Sequence, residues 1–339
     1  MGRSTFTRWQ LAAGALALAL SLVPGVAPAQ GGTVAPQCMG GGTAGLVTRD
    51  ACQKAIDLFQ FVAPQLAGTL VGGSAVQGEH STLRGLGHYS LGLRANAVRA
   101  RLPQVDQHTP SVTGAVASDY AVDERWIAAP VLDAAIGIFR GVPFAGTHAL
   151  GLDALVNVSY IPEVDQGDFS VRLPDGSLKL GFGGRLGLLR ETFLTPGISF
   201  TWLQRDLPTV DVRGRVGGDE LDVRDVRVAT TAWRLVGGKS FSIFAIAFGG
   251  GQDRYDTEAS AQVTINHLGP SVSSGVIAAR QELTRTNFFG TLSLNLAQLR
   301  IVAEAGRASG GTIATYNTFS GHDPAAAQGY ASLGLRLTW

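Results

Sequence analysis

The sequence predicts an all-β fold: a transmembrane antiparallel up-and-down β-barrel of about ten strands, ten to fourteen allowed, preceded by a short N-terminal helix. Three observations carry this. Only 16 % of the 339 residues are charged and 45 % are hydrophobic, where a soluble domain carries about 25 % charged residues. Past residue 30 no stretch approaches the ~20 consecutive apolar residues of a spanning helix. From about Gly85 onward apolar and polar residues alternate with a period of two, the pattern of half-buried strands. The formal charge of +1 provides no basic field, so no nucleic acid is expected as a partner.

At the N-terminus, Arg3 and Arg8 precede the apolar run Leu11 to Val23. Pro24 and the A-x-A site Ala27-Pro28-Ala29 follow it, which reads as a cleaved secretory signal peptide over 1–29 and export by the Sec pathway. Residues 30–84 form an N-terminal arm, rich in Gly, Thr and Pro up to about Gly45. Asp50 is placed to cap a helix, and Ala51, Ala55, Leu58, Phe59, Val62 and Leu66 follow at helical spacing. This helix over 50–66 plugs a barrel lumen, lies across its periplasmic mouth, or packs on its rim; spacing does not choose. Cys38 and Cys52 are the two cysteines, and in an exported chain a disulfide is their simplest reading.

Residues 85–339 supply the barrel. Strands are expected near 85–102, 128–140, 147–162, 177–190, 196–212, 221–237, 240–263, 277–297, 299–315 and 328–339. Alternation alone also fits a sandwich, so loop lengths decide. The connections 2–3, 4–5, 6–7 and 8–9 are short (GVPFAG, ETFLT, Gly238-Lys239 and Gln298), whereas the others are long and carry many of the acids. Short turns at one end, long loops at the other and an even strand count describe a spanning barrel. Lipid offers unpaired backbone groups no water, so such a sheet must close on itself. Tyr89, Tyr160, Trp202, Trp233 and Trp339 suit interfacial girdles. The stretch 240–252 is apolar on both faces and its orientation is left open.

The chain ends on QGYASLGLRLTW. A closing strand with Trp339 last, Leu337, Leu335 and Leu333 alternating behind it and Tyr330 further in resembles the C-terminal signature of bacterial outer-membrane β-barrel proteins. That resemblance implies a place in the outer membrane among its lipid and lipopolysaccharide. It also implies periplasmic chaperones and recognition of this strand by the barrel assembly machinery. The superfamily usually ends on Phe, and Trp here is a departure.

Candidate chemistry is sparse. His88 and Ser90 share a strand face, a spacing similar to the His-x-Ser pair of outer-membrane phospholipases and lipid A deacylases, where His is the base for Ser. Those families follow Ser with Asn, whereas Leu91-Gly92 stands here and no third partner is evident, so no enzyme is expected. GFGGRLG (Gly181 to Gly187) lacks the helix and Lys of a phosphate loop; its glycines fit a narrow lumen or a curved strand. EVDQGD (Glu163 to Asp168) does not have EF-hand spacing and reads as a solvated acidic loop. The six histidines are scattered, so neither a metal nor another cofactor is expected.

The lumen is the informative surface. Strand parity points Arg94, Asp133, Asp153, Lys179, Arg185, Arg234, Arg300, Glu304 and Arg336 inward, together with Val131, Phe139, Leu155, Leu203 and Phe289. A barrel of this size is largely filled by side chains, and charges of both signs inside it must pair. The functional expectation is a narrow channel for small or amphiphilic solutes, similar in layout to the plugged long-chain fatty acid channels. The alternatives are a non-transporting structural or surface-binding barrel and, further off, a lipid hydrolase.

Overall fold

The computed structural model describes residues 31–39, 44–71, 73–105, 111–161, 163–166, 169–216, 219–266 and 271–339. The expected signal peptide at 1–29 and the end of the EVDQGD loop lie outside them. Ten strands make the barrel: β1 Tyr89–Pro103, β2 Val122–Phe139, β3 Gly151–Tyr160, β4 Leu178–Leu189, β5 Gly197–Asp206, β6 Asp219–Phe241, β7 Phe244–Ile265, β8 Ile277–Leu296, β9 Leu299–Ser309 and β10 Gln328–Thr338. Each pairs antiparallel with the next, and β1 pairs with β10 from Ser90–Thr338 to Val98–Tyr330, which closes the ring. Closure leaves no sheet edge unpaired in lipid.

Several strand ends depart from expectation, among them the start of β2 at Val122 rather than 128 and the end of β9 at Ser309 rather than 315, and two of the departures have local reasons. β5 stops at Asp206 before Leu207-Pro208, and Val210–Val216 forms a separate strand. That strand pairs with the start of β6 and with Phe169–Arg172, which in turn pairs with Val164–Gln166. The short strands build a sheet extension above the ring on the long-loop side. β6 does not turn at Gly238-Lys239 but runs on to Phe241, and the turn is Ser242-Ile243, with Ser242 at φ 54°.

Alternation sorts the two faces. Leu333, Leu335, Leu337 and Trp339 are exposed on the barrel exterior, while Tyr330, Ser332 and Arg336 are buried inside. The orientation of 240–252 resolves the same way: Phe244, Ile246 and Phe248 face out, and Ala245 and Ala247 face in. Phe139 faces outward, contrary to its expected parity. A bulge between Gly137 and Phe139 against β3 inserts one residue and flips the last position of β2. Nearer the long loops the exterior turns charged, with Arg254 and Arg280 reaching Glu282 across β7 and β8. The apolar band is therefore the half of the barrel nearer the short turns.

One helix precedes the barrel, α1 over Ala44–Val71, longer than the expected 50–66. Pro64 lies within it rather than at its end. A proline there deprives the carbonyl four residues earlier of its donor. The barrel wall supplies a substitute: Gln281 of β8 donates its side-chain amide to the Gln60 carbonyl at 2.9 Å. Asp50 sits inside the helix, so it does not cap it. No helix among the described residues is long and apolar enough to cross a membrane.

Candidate functional site: a lumen filled by the N-terminal segment

The described parts of 31–88 lie between the long-loop mouth, through the barrel, and the short-turn mouth, where β1 begins. At the long-loop mouth the Gly32 N–H donates to the Thr315 carbonyl at 3.3 Å. Cys38 and Cys52 form a disulfide, their Cα atoms 5.6 Å apart, and pack with Ile56 against Ile277 of β8. Asp50 accepts the backbone N–H groups of Ser111 (2.7 Å) and Val116 (2.8 Å), which ties the β1–β2 loop to the helix. Asp57 accepts the backbone and side-chain N–H groups of Asn317 at 2.8 and 2.6 Å. Burial pushes the Asp57 carboxyl above its ordinary range, against the opposing pull of these hydrogen bonds. Phe61 stacks on Phe319 at 4.1 Å, and Tyr120 stacks on the same ring.

Below the helix the chain continues through a set of ion pairs. Gly73 adopts φ +81°, and a Cβ there would meet the Arg94 guanidinium at 2.8 Å. The Ser74 N–H donates to Glu304 at 2.9 Å, and Arg336 donates to the Ala75 carbonyl at 2.9 Å. Arg300 donates to the Gly78 carbonyl at 2.5 Å. Glu79 pairs with Arg185 at 3.1 Å and with Arg336 at 3.8 Å. Arg185 also pairs with Asp153 at 2.6 Å, and both Asp153 oxygens accept the Leu83 N–H at 3.1 Å. Within the wall, Arg94 pairs with Asp133 at 2.5 Å and Arg234 with Asp253 at 2.7 Å. Lys179 stands half-buried at the outer end of β4, opposite Ser159. Leu155, Leu203 and Val131 are buried inside, the first two packed with Val76 and Leu83 of the segment.

At the short-turn mouth the segment is latched to the β4–β5 turn. His80 Nε2 lies 2.6 Å from Glu191. Glu191 also accepts the Ser240 N–H at 2.6 Å and donates its own N–H to Ser81 Oγ at 3.1 Å. Lys239 donates to the carbonyls of Thr192, Phe193 and Thr195 and so holds the turn across the mouth. Glycines let the wall approach: a Cβ on Gly238 would meet the His80 ring at 2.7 Å, and one on Gly187 would meet Thr82 at 2.6 Å. Burial lowers the His80 pKa below its ordinary 6.5, outweighing the pull of Glu191. Burial works to raise Glu191, yet hydrogen bonds from His80 and Ser240 hold it below its ordinary value. The pair at neutral pH is thus a neutral imidazole donating to a carboxylate, with Nδ1 left without a partner. A cavity of about 430 Å³ opens here, lined among others by Glu79, His80, Arg84, His88, Arg300 and Trp339.

His88 and Ser90 are not brought together as an acid–base pair. Ser90 is buried and its hydroxyl accepts from Arg336 at 3.0 Å, while His88 Nδ1 has no hydrogen-bond partner among the described residues. Among the described residues no group of three or more His, Cys, Asp or Glu side chains is placed to hold a metal. Sequence reasoning missed Glu79, His80 and Glu191, which lie in irregular chain with no period to orient them. It also missed Arg205 and Arg285, which strand parity marks as inward.

No protein-family model and no curated protein matches the chain. Among solved structures it is similar to the translocator domain of the autotransporter NalP from Neisseria meningitidis, with 10 % identity, TM-score 0.38, and 87 % of this chain and 99 % of that chain covered. It is also similar to an outer-membrane channel of Pseudomonas putida F1, with 11 % identity, TM-score 0.33 and 77 % and 98 % covered. The Pseudomonas putida toluene transporter TodX aligns at 11 % identity, TM-score 0.26 and 74 % and 88 % covered. A closed antiparallel ring with an apolar band outside and paired charges inside is built for a membrane that accepts barrels. The chain is a closed ten-stranded antiparallel β-barrel with an apolar outer band, whose lumen is occupied by its own N-terminal segment.

Proposed function

We propose that this barrel is closed at rest and serves as a non-transporting scaffold that holds its N-terminal arm and long loops at the cell surface. The supporting observation is the lumen segment itself, hydrogen-bonded or ion-paired to the wall at the outer mouth, at mid-height and at the inner mouth. Lipopolysaccharide and surface molecules are the partners in reach of the loops, and the β10 strand would engage the assembly machinery and its chaperones. Planar-bilayer recording tests this reading. The full chain is expected to be electrically silent, and a variant lacking residues 31–72 to conduct. Steady conductance by the full chain would overturn it.

The cavity at the short-turn mouth favours a second reading, a narrow conduit for small or amphiphilic solutes in which residues 73–88 shift to let cargo pass. Solute flux through the full chain in liposomes, abolished by cross-linking the segment to the wall, would select this reading over the first. Lipid hydrolysis is not proposed, because Ser90 is engaged by Arg336 rather than by a base.

A further inference from the structure

Arg285 of β8 is a buried cation with no carboxylate at ion-pair distance among the described residues. It is 1 % exposed, and its Nη1 donates to Gln328 at 2.6 Å. Among the described residues its Nε and Nη2 have no hydrogen-bond partner, and neither does the buried hydroxyl of Tyr330. These groups line a small cavity of about 10 Å³ shared with Arg234, Asp253 and Gly68 of α1. Asp253, the carboxylate among the lining residues, is already held by Arg234 at 2.7 Å and by the Asn287 amide at 2.8 Å. The cavity therefore carries a surplus of one positive charge. An isolated buried cation is costly unless paired, and a water would satisfy donors without neutralising the charge.

We propose that this cavity binds one monatomic anion of the halide class, held by Arg285 and the Tyr330 hydroxyl against the end of α1. Its size admits a particle of about one water and excludes phosphate, sulfate or an organic carboxylate. Gly68 makes the site possible, since a Cβ there would meet the Gln328 amide oxygen at 2.9 Å and crowd the space. The anion thereby joins the wall to the lumen segment, and docking of the segment becomes sensitive to which anion is present.

The test uses the full refolded chain. Crystals grown in sodium bromide are expected to show an anomalous bromide peak within hydrogen-bonding distance of Arg285 and Tyr330. In solution, the unfolding midpoint is expected to rise and saturate with sodium chloride relative to sodium gluconate at equal ionic strength. Arg285→Met should lose both the peak and the difference between the two salts. Arg285→Lys, which keeps the charge, should retain the salt difference and guards against a methionine variant that does not fold. A wild-type site holding water alone, an adventitious ion only (a bromide peak with no salt difference), or equal midpoints in the two salts would each overturn the proposal.

Discussion

At the scale of single residues, the lumen depends on buried charges that pair with one another. Arg185 is fully buried and neutralises both Asp153 of the wall and Glu79 of the segment. Arg185→Met would leave Asp153 without its cation while Glu79 keeps Arg336, and losing one partner of a buried pair costs about 3–5 kcal/mol. Denaturant unfolding in detergent should record a loss of that order, and Asp153→Asn combined with Arg185→Met should recover part of it. His80 and Glu191 make a pH-dependent contact. A histidine whose folded pKa is lowered adds stability that is complete above its unfolded value of about 6.5 and falls away as pH drops below it. Glu191, also lowered, adds stability that is present above its ordinary 4.5 and lost at more acid pH. Both signs agree, so acidification from pH 7 should loosen the inner latch. Proteolysis within residues 73–88 followed against pH measures it, and Glu191→Gln should remove the more acid part of the response.

At the scale of elements, the strands, a helix over 50–66 and its disulfide are legible in the sequence, and the placement of the segment inside the barrel is not. Period-two alternation told lumen from lipid for Leu333 through Trp339 because each strand meets two unlike solvents, whereas Phe139 went astray where one inserted residue reversed the parity. Helix α1 reads poorly because its environment is a mixed lumen rather than water on one side. It also runs through Pro64 because Gln281, far away in sequence, repairs the missing bond. Gln281→Leu should therefore cost about 1–3 kcal/mol, the desolvation penalty of an unsatisfied buried carbonyl, and fray the helix beyond Gln60 in hydrogen exchange. Below α1, Gly73 combines positive φ with contact to Arg94, so neither signal stands out in a chain this rich in glycine. The staple Cys38–Cys52 closes a loop of 14 residues in sequence separation, for which chain entropy gives about 3 kcal/mol. Reduction should lower the stability of the outer end of the segment by about that amount while leaving the β1–β10 seam protected from exchange.

At the scale of the whole molecule, connectivity determines which end of the chain faces the cell surface. β1 begins at the short-turn mouth, and the segment before it climbs through the lumen to contacts with Asn317 and Thr315 in the β9–β10 loop. Short turns face the periplasm in barrels of this type, so residues 31–39 lie at the outer mouth and Trp339 at the inner one. The arm and the closing strand thus occupy opposite sides although both flank the β1–β10 seam. An epitope inserted after Gly31 should bind antibody on intact cells. The same epitope placed between Phe193 and Leu194, the exposed tip of the β4–β5 turn, should bind only after the outer membrane is permeabilised. Labelling of both tags on intact cells, or of neither, would contradict the threaded path. Reversed labelling would mean that the long loops face inward. Only the expected pattern is compatible with a plug that enters from outside and is covalently continuous with the wall at the bottom. In such an arrangement, withdrawing the whole segment toward the periplasm would draw α1 through the ring, whereas outward release of residues 44–71 would not.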